Sequence, residues 1–327
     1  MKYIFFLCGL VVSLSAQTLA SDWNNGRVDT HAPIGVMGEH THETGEIMLS
    51  YRYMTMTMEG NRSGQDQKSV TDVLSDFMVS PLDMTMSMHM MGAMYAPSDR
   101  LTLMAMLPYF NKSMGHRKRD LTEFTRNSNG IGDLKMSGMY CLYKQDGHNF
   151  HLNTGISLPI GSVDEKDGQP SRLPYPMQLG SGTYDLSLGV TYAKQLKGWS
   201  YGSQLSGIFR MGENKHDYAL GNRYQGTAWM AKVLTETLSA SMRTQASIWD
   251  DIRGSDSDLN PSMVPTALTN RGGKQLDIAI GVNYYAKNGV LRGNRLSFEV
   301  GLPVIQSLDG VQLETDWWAV LGWQYVL

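Results

Sequence analysis

Cysteine is scarce in this sequence, because only 2 of its 327 residues are cysteines. One of them, Cys8, lies in a short apolar stretch near the N-terminus, after a lysine and before small residues that end at Ala20. This pattern is typical of a secretory signal peptide, so we predict a signal peptide over residues 1–20. Cys141 is then the one cysteine of the mature chain, which excludes an intrachain disulfide.

A long hydrophobic run and a strong excess of one charge are also missing. Mean hydropathy is -0.28 and the formal net charge is -3. The first value argues against a helical membrane protein, and the second gives no indication of nucleic-acid binding. The sequence has no phosphate-binding glycine loop, dinucleotide fingerprint, zinc-type cysteine cluster or nucleophile elbow. We therefore predict neither an enzyme nor a required cofactor.

Short segments in which apolar and polar residues alternate run from residue 45 to the end of the chain. In residues 277–285, Ile278, Ile280 and Val282 alternate with small or polar residues. A period of two is the pattern of a β-strand with one apolar face. We predict twelve strands, at 45–59, 83–96, 99–112, 130–144, 148–161, 182–196, 199–212, 221–234, 236–250, 273–287, 293–304 and 314–326.

Long and short connections alternate between the predicted strands. Long ones such as 60–82 and 251–272 are separated by short turns such as Asn288-Gly289. Outer-membrane barrels have short periplasmic turns and long outer loops. The pattern predicts an all-β fold, a transmembrane antiparallel up-and-down β-barrel of about twelve strands over residues 45–327. Both termini would be periplasmic, and residues 21–44 would form a periplasmic arm or a plug segment that enters the barrel.

The polar face of the predicted strands would line the barrel interior, since alternate residues point to opposite sides. Arginine facing acid across the interior would orient a polar solute in a narrow pathway. Alternatively, the charged pairs would fill the interior and leave no channel. The predicted lumen-lining residues are Arg52, His89, Asp133, Lys135, Asp185, Arg210, Arg243, Asp277, Arg295, Glu299 and Asp316.

Methionine is frequent, with 23 residues, and concentrates in the first three predicted strands. Thioethers are soft ligands that suit Cu(I), but methionine is also a flexible apolar filler. If Asp83 points inward, His89 also faces the lumen, and the residues sent to lipid are Met84, Met86, Met88 and Met90. The predicted metal candidates are Met54, Met56, Met58, His89, Met104 and Met106, which His31, His40 and His42 could join.

Two charged segments suggest weaker hypotheses. Carboxylates in residues 250–258 (Asp250, Asp251, Asp256 and Asp258) could bind Ca²⁺, although their spacing is not that of an EF-hand. A solvated acidic turn is the alternative. The basic segment 111–126 could contact lipopolysaccharide phosphates or be an ordinary solvated loop.

A family resemblance rests on three short motifs. Residues 96–101 (Ala-Pro-Ser-Asp-Arg-Leu), Leu107-Pro108-Tyr109 and Gly132-Asp133-Leu134 resemble the outer-membrane proteins named for the meta pathway of phenol degradation. Residues 31–62 resemble a methionine-rich branch that is described as a transporter. The resemblance implies a Gram-negative outer-membrane barrel that is similar to channels for hydrophobic compounds.

These observations predict an outer-membrane channel or transporter for a small solute, either a hydrophobic or aromatic compound or a metal ion. Two alternatives stay open, a structural or partner-binding barrel with a filled lumen and a Met/His-rich copper-handling protein. The predicted partners are outer-membrane lipid, lipopolysaccharide, the solute and the barrel-assembly machinery, which would recognise the aromatic last strand. A protein partner stays open, and no nucleic acid is expected.

Overall fold

The computed structural model describes residues 23–24, 26–168 and 170–327, so the predicted signal peptide lies outside the described residues. One helix, α1 (Val70–Asp76), and two 3-10 turns, Tyr175–Met177 and Pro265–Ala267, lie in the connections. The strands are β1 (Ile47–Gly64), β2 (Asp66–Lys68), β3 (Val79–Ser98), β4 (Leu101–Lys118), β5 (Glu123–Ile131), β6 (Leu134–Gln145), β7 (His148–Leu158), β8 (Tyr184–Leu196), β9 (Trp199–Met211), β10 (Tyr218–Ala219), β11 (Arg223–Val233), β12 (Leu238–Trp249), β13 (Arg253–Gly254), β14 (Gly273–Tyr285) and β15 (Asn294–Val326).

The large strands form one closed antiparallel wall. They pair in the order β1, β3, β4, β6, β7, β8, β9, β11, β12, β14 and β15, and β15 pairs again with β1. β2 and β5 pair with β1 and β4, while β10 and β13 form a separate small sheet. A sheet whose last strand pairs with its first has no free edge. The predicted up-and-down barrel is therefore confirmed.

The last strand explains why eleven wall elements correspond to about twelve predicted strands. β15 has 33 residues; it pairs with β14 up to Leu308 and with β1 from Leu308 onward. Its two halves contact each other where Thr315 N donates to Gln306 Oε1 at 2.8 Å. Gly310 has a φ of 67°, which glycine adopts readily in a tight turn. β15 is thus a hairpin that supplies two passes of the wall.

The outward face of the wall is apolar. Leu205, Met242, Ile280 and Leu321 are exposed at 64%, 60%, 59% and 52%. Because they lie on different strands around the barrel, they form part of a continuous aliphatic belt. Such a belt is the surface expected against lipid. Among the described residues, no helix is both long and apolar enough to cross a membrane.

The longer connections gather at one end of the barrel. The basic segment 111–126, which was predicted to be a loop, is mostly strand. β4 and β5 continue across most of it as a paired hairpin. The connection between β7 and β8 folds over this end, where Leu173 and Met177 pack with Met114. The mouth of the barrel at the long-loop end is therefore covered.

Candidate functional site

The N-terminal segment lies inside the barrel. From Val28 to His42 nearly every residue is buried, although the segment forms turns and bends rather than a helix or strand. Buried backbone groups require hydrogen-bond partners, and here inward side chains of the wall supply them. We call residues 26–42 the plug. Because the plug leads into β1 at the short-turn end, it occupies that half of the lumen.

Strands on several sides of the lumen bind the plug. Gly38 O accepts a hydrogen bond from His151 Nε2 on β7 at 3.0 Å. Gln204 Nε2 on β9 donates to the backbone oxygen of Met37 at 2.9 Å. From β15, Glu299 Oε2 accepts from Gly35 N at 2.7 Å. The plug therefore bridges distant parts of the wall.

Apolar side chains of the plug pack against wall tryptophans. Ile34 lies in one cluster with Trp318 of β15, and Val36 lies in another with Trp229 of β11. Gly322 leaves room for Ile34, because a Cβ at position 322 would lie 2.5 Å from the Ile34 side chain. Polar and apolar contacts together close the lumen near the short turns.

Most of the predicted lumen residues are placed on the inward face. One ion pair joins Arg210 on β9 to Asp185 on β8. Another joins Arg243 Nε to Glu299 Oε1 at 2.6 Å, with both side chains almost fully buried. Strands that are adjacent, or separated by one other strand, thus neutralise much of each other's charge. The inward set is Arg52, Asp133, Lys135, Asp185, Arg210, Arg243, Asp277, Arg295 and Glu299.

The predicted register of β3 is wrong. Arg52 is 6% exposed and lies directly opposite Met90, and opposed residues share one face of a sheet. His89 is therefore outside the lumen, where its Nδ1 lies 2.7 Å from Tyr51 Oη. The error came from assigning Asp83 inward; Asp83 is exposed near the long-loop end, where an outward acid meets water instead of lipid. The inward residues of β3 are Met84, Met86, Met88 and Met90.

Three neighbouring strands form a methionine face in the lumen. Pairing places these side chains in rows across the strands, for example Met58–Met84–Met114. All five methionines of the predicted metal set belong to this face, whereas His89 does not. The methionine face consists of Met48, Met54, Met56, Met58, Met84, Met86, Met88, Met90, Met94, Met104, Met106 and Met114.

Other acidic residues have surroundings that differ from the prediction. Asp316 is exposed at an irregularity in the pairing of β15 with β1, so it does not line the lumen. In the acidic segment 250–258, Arg172 Nε donates to Asp256 Oδ2 at 2.7 Å. The backbone N–H of Arg172 donates to Asp258 at 2.8 Å. An arginine therefore binds two of the carboxylates considered for Ca²⁺.

Two inward side chains indicate a chamber between the plug and the covered mouth. Lys135 points inward, opposite Met106, and Arg223 points inward, opposite Trp249. Both charged side chains are nevertheless exposed. Inward side chains with exposed surface require internal space that solvent can enter. Lys135 also lies within electrostatic range of Arg210 and Arg223, and of Asp133 and Asp185, so the chamber carries charges of both signs.

Sequence reasoning missed two features of the lumen. Arg223 lies two residues before Gln225 and four before Thr227 on the inward face of β11, and this period of two could have identified it. His31, Glu39 and His40 bring ligating atoms within 4.8 Å of one another on the plug, and all three residues are buried. The plug has no regular period, so only the folded structure shows that these three side chains meet.

A family model described as "Putative MetA-pathway of phenol degradation" matches residues 82–300. This span is more than half of the chain. The chain belongs to this family. The span that the phenol-degradation family shares runs from β3 into β15, so the plug and β1 lie outside it. A comparison with curated protein sequences found no match.

Two solved structures are similar to this member of the phenol-degradation family. An outer membrane channel from Pseudomonas putida F1 is similar, with a TM-score of 0.64 and 14% identity over 89% of this chain and 98% of that chain. The NanC porin is similar with a TM-score of 0.44 and 8% identity, over 85% of this chain and 98% of that chain. The first similarity supports the fold of an outer-membrane β-barrel.

Proposed function

We propose that this protein is a passive outer-membrane channel for small solutes and that the plug closes it. The observation that carries the proposal is how the plug is held. Nearly all of it is buried from Val28 to His42, yet within the described chain none of its residues pairs in a sheet. Single hydrogen bonds contribute about 0.5–1.5 kcal/mol each. Such contacts can be broken and remade while the barrel wall stays intact.

The proposed orientation follows from the two unequal ends of the barrel. Short turns lie on the periplasmic side of outer-membrane barrels, and long loops lie outside. We place the plug and both termini on the periplasmic side. The covered mouth and the hairpin of β4 and β5 then face lipopolysaccharide, while the aliphatic belt contacts lipid. Movement of the plug would connect the chamber to the periplasm.

The proposed solute is a small aromatic compound with an anionic group. Thioethers of the methionine face contact aromatic rings favourably, by about 0.3–1.5 kcal/mol per contact. Lys135 and Arg223 in the same chamber would attract the anionic group. The family description, which refers to phenol degradation, supports the same class of solute. The proposal involves transport and no catalytic step.

Locking the plug tests the proposed gate. The side chain of Cys141 on β6 lies beside the side chain of Thr41 in the plug. In a Thr41→Cys variant, the two thiols should therefore form a disulfide that fastens the plug to the wall. In planar bilayers the oxidised variant should show no openings, and a reductant should restore them. The matched control is Thr41→Cys combined with Cys141→Ser, which cannot form the bond.

Removal of the plug provides the converse test. A variant that lacks residues 26–42 should conduct continuously, and liposome swelling should be faster with benzoate than with arabinose. Heat-dependent gel migration checks that this variant is folded. If the folded variant conducts no more than the complete protein, the plug is not the gate. Equal swelling rates for the two solutes would contradict the proposed solute class.

The methionine face favours a second candidate function, passage of a soft monovalent metal ion. Its thioethers stand in rows across three strands, and thioethers suit Cu(I). We would titrate the protein with Ag⁺, which resembles Cu(I). Replacing Met54, Met56 and Met88 with leucine keeps the volume and removes the sulfurs. Affinity for Ag⁺ should fall in that variant, and unchanged affinity would exclude this function.

A further inference from the structure

We propose that His31, Glu39 and His40 form a binding site for a divalent transition metal ion on the plug. Imidazole nitrogens and a carboxylate oxygen are the ligands that Zn²⁺, Ni²⁺ and Cu²⁺ share in proteins. The site is separate from the methionine face, whose thioethers suit monovalent copper. It also does not depend on conduction, so it stands or falls independently of the proposed channel function.

The distances between the ligand atoms suit a metal ion. His31 Nδ1 lies 3.3 Å from Glu39 Oε1. Tetrahedral Zn²⁺ with bonds of about 2.0–2.1 Å separates its ligands by roughly 3.3 Å. His40 Nδ1 lies 2.6 Å from the same oxygen, so this pair needs to open by about 0.7 Å for the same geometry. A small rotation of the carboxylate would supply that change.

His31 has a ligand atom that the folded chain leaves unused. Within the described residues, its buried Nδ1 has no hydrogen-bond partner, although Glu39 is close. A buried polar atom without a partner is costly. A bound metal ion would give this atom a partner.

Hydrogen bonds to residues outside the proposed ligand set orient His40. Its Nε2 lies 3.1 Å from His42 Nε2. The other nitrogen of His42, Nδ1, lies 3.0 Å from Glu46 Oε2. Metal-binding histidines commonly use their second nitrogen in such contacts, which fix the ring and raise its basicity. The chain from Glu46 through His42 to His40 therefore supports the proposed ligand set.

Glu39 supplies the negative charge of the site. Glu39 Oε1 lies 2.6 Å from His40 Nδ1 and 3.3 Å from His31 Nδ1. The guanidinium groups of Arg52 and Arg295 act on the same region and disfavour a cation. A metal ion therefore requires the carboxylate of Glu39, and the neutral amide of a glutamine at this position should not replace it.

Access to the site is provided from the short-turn end. A cavity of about 170 Å³ is lined by His31, His40 and His42, and by Tyr285 and Val326 near the ends of β14 and β15. One water molecule occupies roughly 30 Å³, so the cavity admits a hydrated ion and leaves room for a fourth, exogenous ligand. An ion bound there would join His31 to His40 and hold the intervening turn, which carries Ile34 and Gly35.

Zinc binding by the purified protein tests the proposal. We would treat the complete mature protein with chelator in detergent and titrate it with Zn²⁺ in a calorimeter. One equivalent should bind. Glu39→Gln keeps the shape of the side chain and should weaken binding by more than about 100-fold, because it removes a direct ligand. Glu46→Gln, which affects only the outer contacts, should weaken binding by about 10–100-fold.

Two controls keep the test independent of folding defects. His148→Ala removes a histidine outside the plug, where His148 contacts Tyr192, and should leave Zn²⁺ binding unchanged. X-ray absorption at the zinc edge of the unaltered protein should show nitrogen and oxygen ligands at about 2.0–2.1 Å. Absence of stoichiometric binding, unchanged affinity in a folded Glu39→Gln variant, or a shell of sulfur ligands would each overturn the proposal.

Discussion

A single added methyl group at Gly35 should open the channel. Gly35 N donates to Glu299 Oε2, and Glu299 Oε1 accepts from Arg243 Nε. A Cβ at position 35 would lie 2.6 Å from Glu299 Oε2 and closer still to the Arg243 guanidinium. Real Cβ contacts are not this short. In Gly35→Ala, either the ion pair or the plug must therefore move.

The relative costs indicate that the plug moves. Arg243 and Glu299 are 3% and 1% exposed, and breaking a buried ion pair costs about 3–5 kcal/mol. Withdrawing Gly35 loses one hydrogen bond to a charged group, which is about 1.5–3 kcal/mol. Since 1.4 kcal/mol corresponds to a factor of ten, the unplugged fraction should rise by roughly 10- to 150-fold.

Open probability in planar bilayers measures this change directly. Gly35→Ala should open more often than the unaltered protein, with the same conductance per opening, because the wall is unchanged. Gly26→Ala adds the same methyl group to the plug where the nearest atom is Asn24 Oδ1 at 3.2 Å, and it should behave like the unaltered protein. If Gly35→Ala stays closed while removal of residues 26–42 opens the channel, the contact with Glu299 does not hold the plug.

Three further predictions concern other parts of the barrel. Met91 is 68% exposed on the outward face of β3. Met91→Lys should therefore destabilise the barrel in lipid by about 2–4 kcal/mol. If urea unfolding of this variant were unchanged, the corrected register of β3 would be contradicted. Lys135→Glu should shift the reversal potential of the plug-free channel toward cation selectivity; an unchanged potential would place Lys135 off the path. Although burial opposes it, hydrogen bonds from Arg172 lower the pKa of Asp256. Because the folded pKa is depressed, the stabilisation is present above the unfolded pKa of about 3.9 and is lost as pH falls through the folded pKa. Hydrogen exchange in residues 250–270 should therefore accelerate as pH falls through that range. The Asp256→Asn variant should not show this pH dependence.

The wall was predictable because its signal is local. Alternation of apolar and polar residues identified the strands, and the lengths of the connections identified the barrel. Glu299 could be assigned to the lumen because two apolar neighbours, Phe298 and Val300, flank it on its strand. The assignment of faces from polarity failed on β3, where methionine occupies the inward positions and polar residues such as His89 occupy outward ones. Side-chain polarity alone could not distinguish the two faces there.

The contents of the lumen were not predictable, for a different physical reason. Gly38 meets His151, and Gly35 meets Glu299, so each contact joins residues that are more than one hundred positions apart. The plug has no period that would indicate which of its side chains point toward one another. The sequence by itself determined the strands, their order and the lipid-facing surface outside β3, because each depends on neighbours along the chain. Only the tertiary structure decided that the plug enters the barrel and that His31, Glu39 and His40 converge, because closure of the wall creates the space in which they meet.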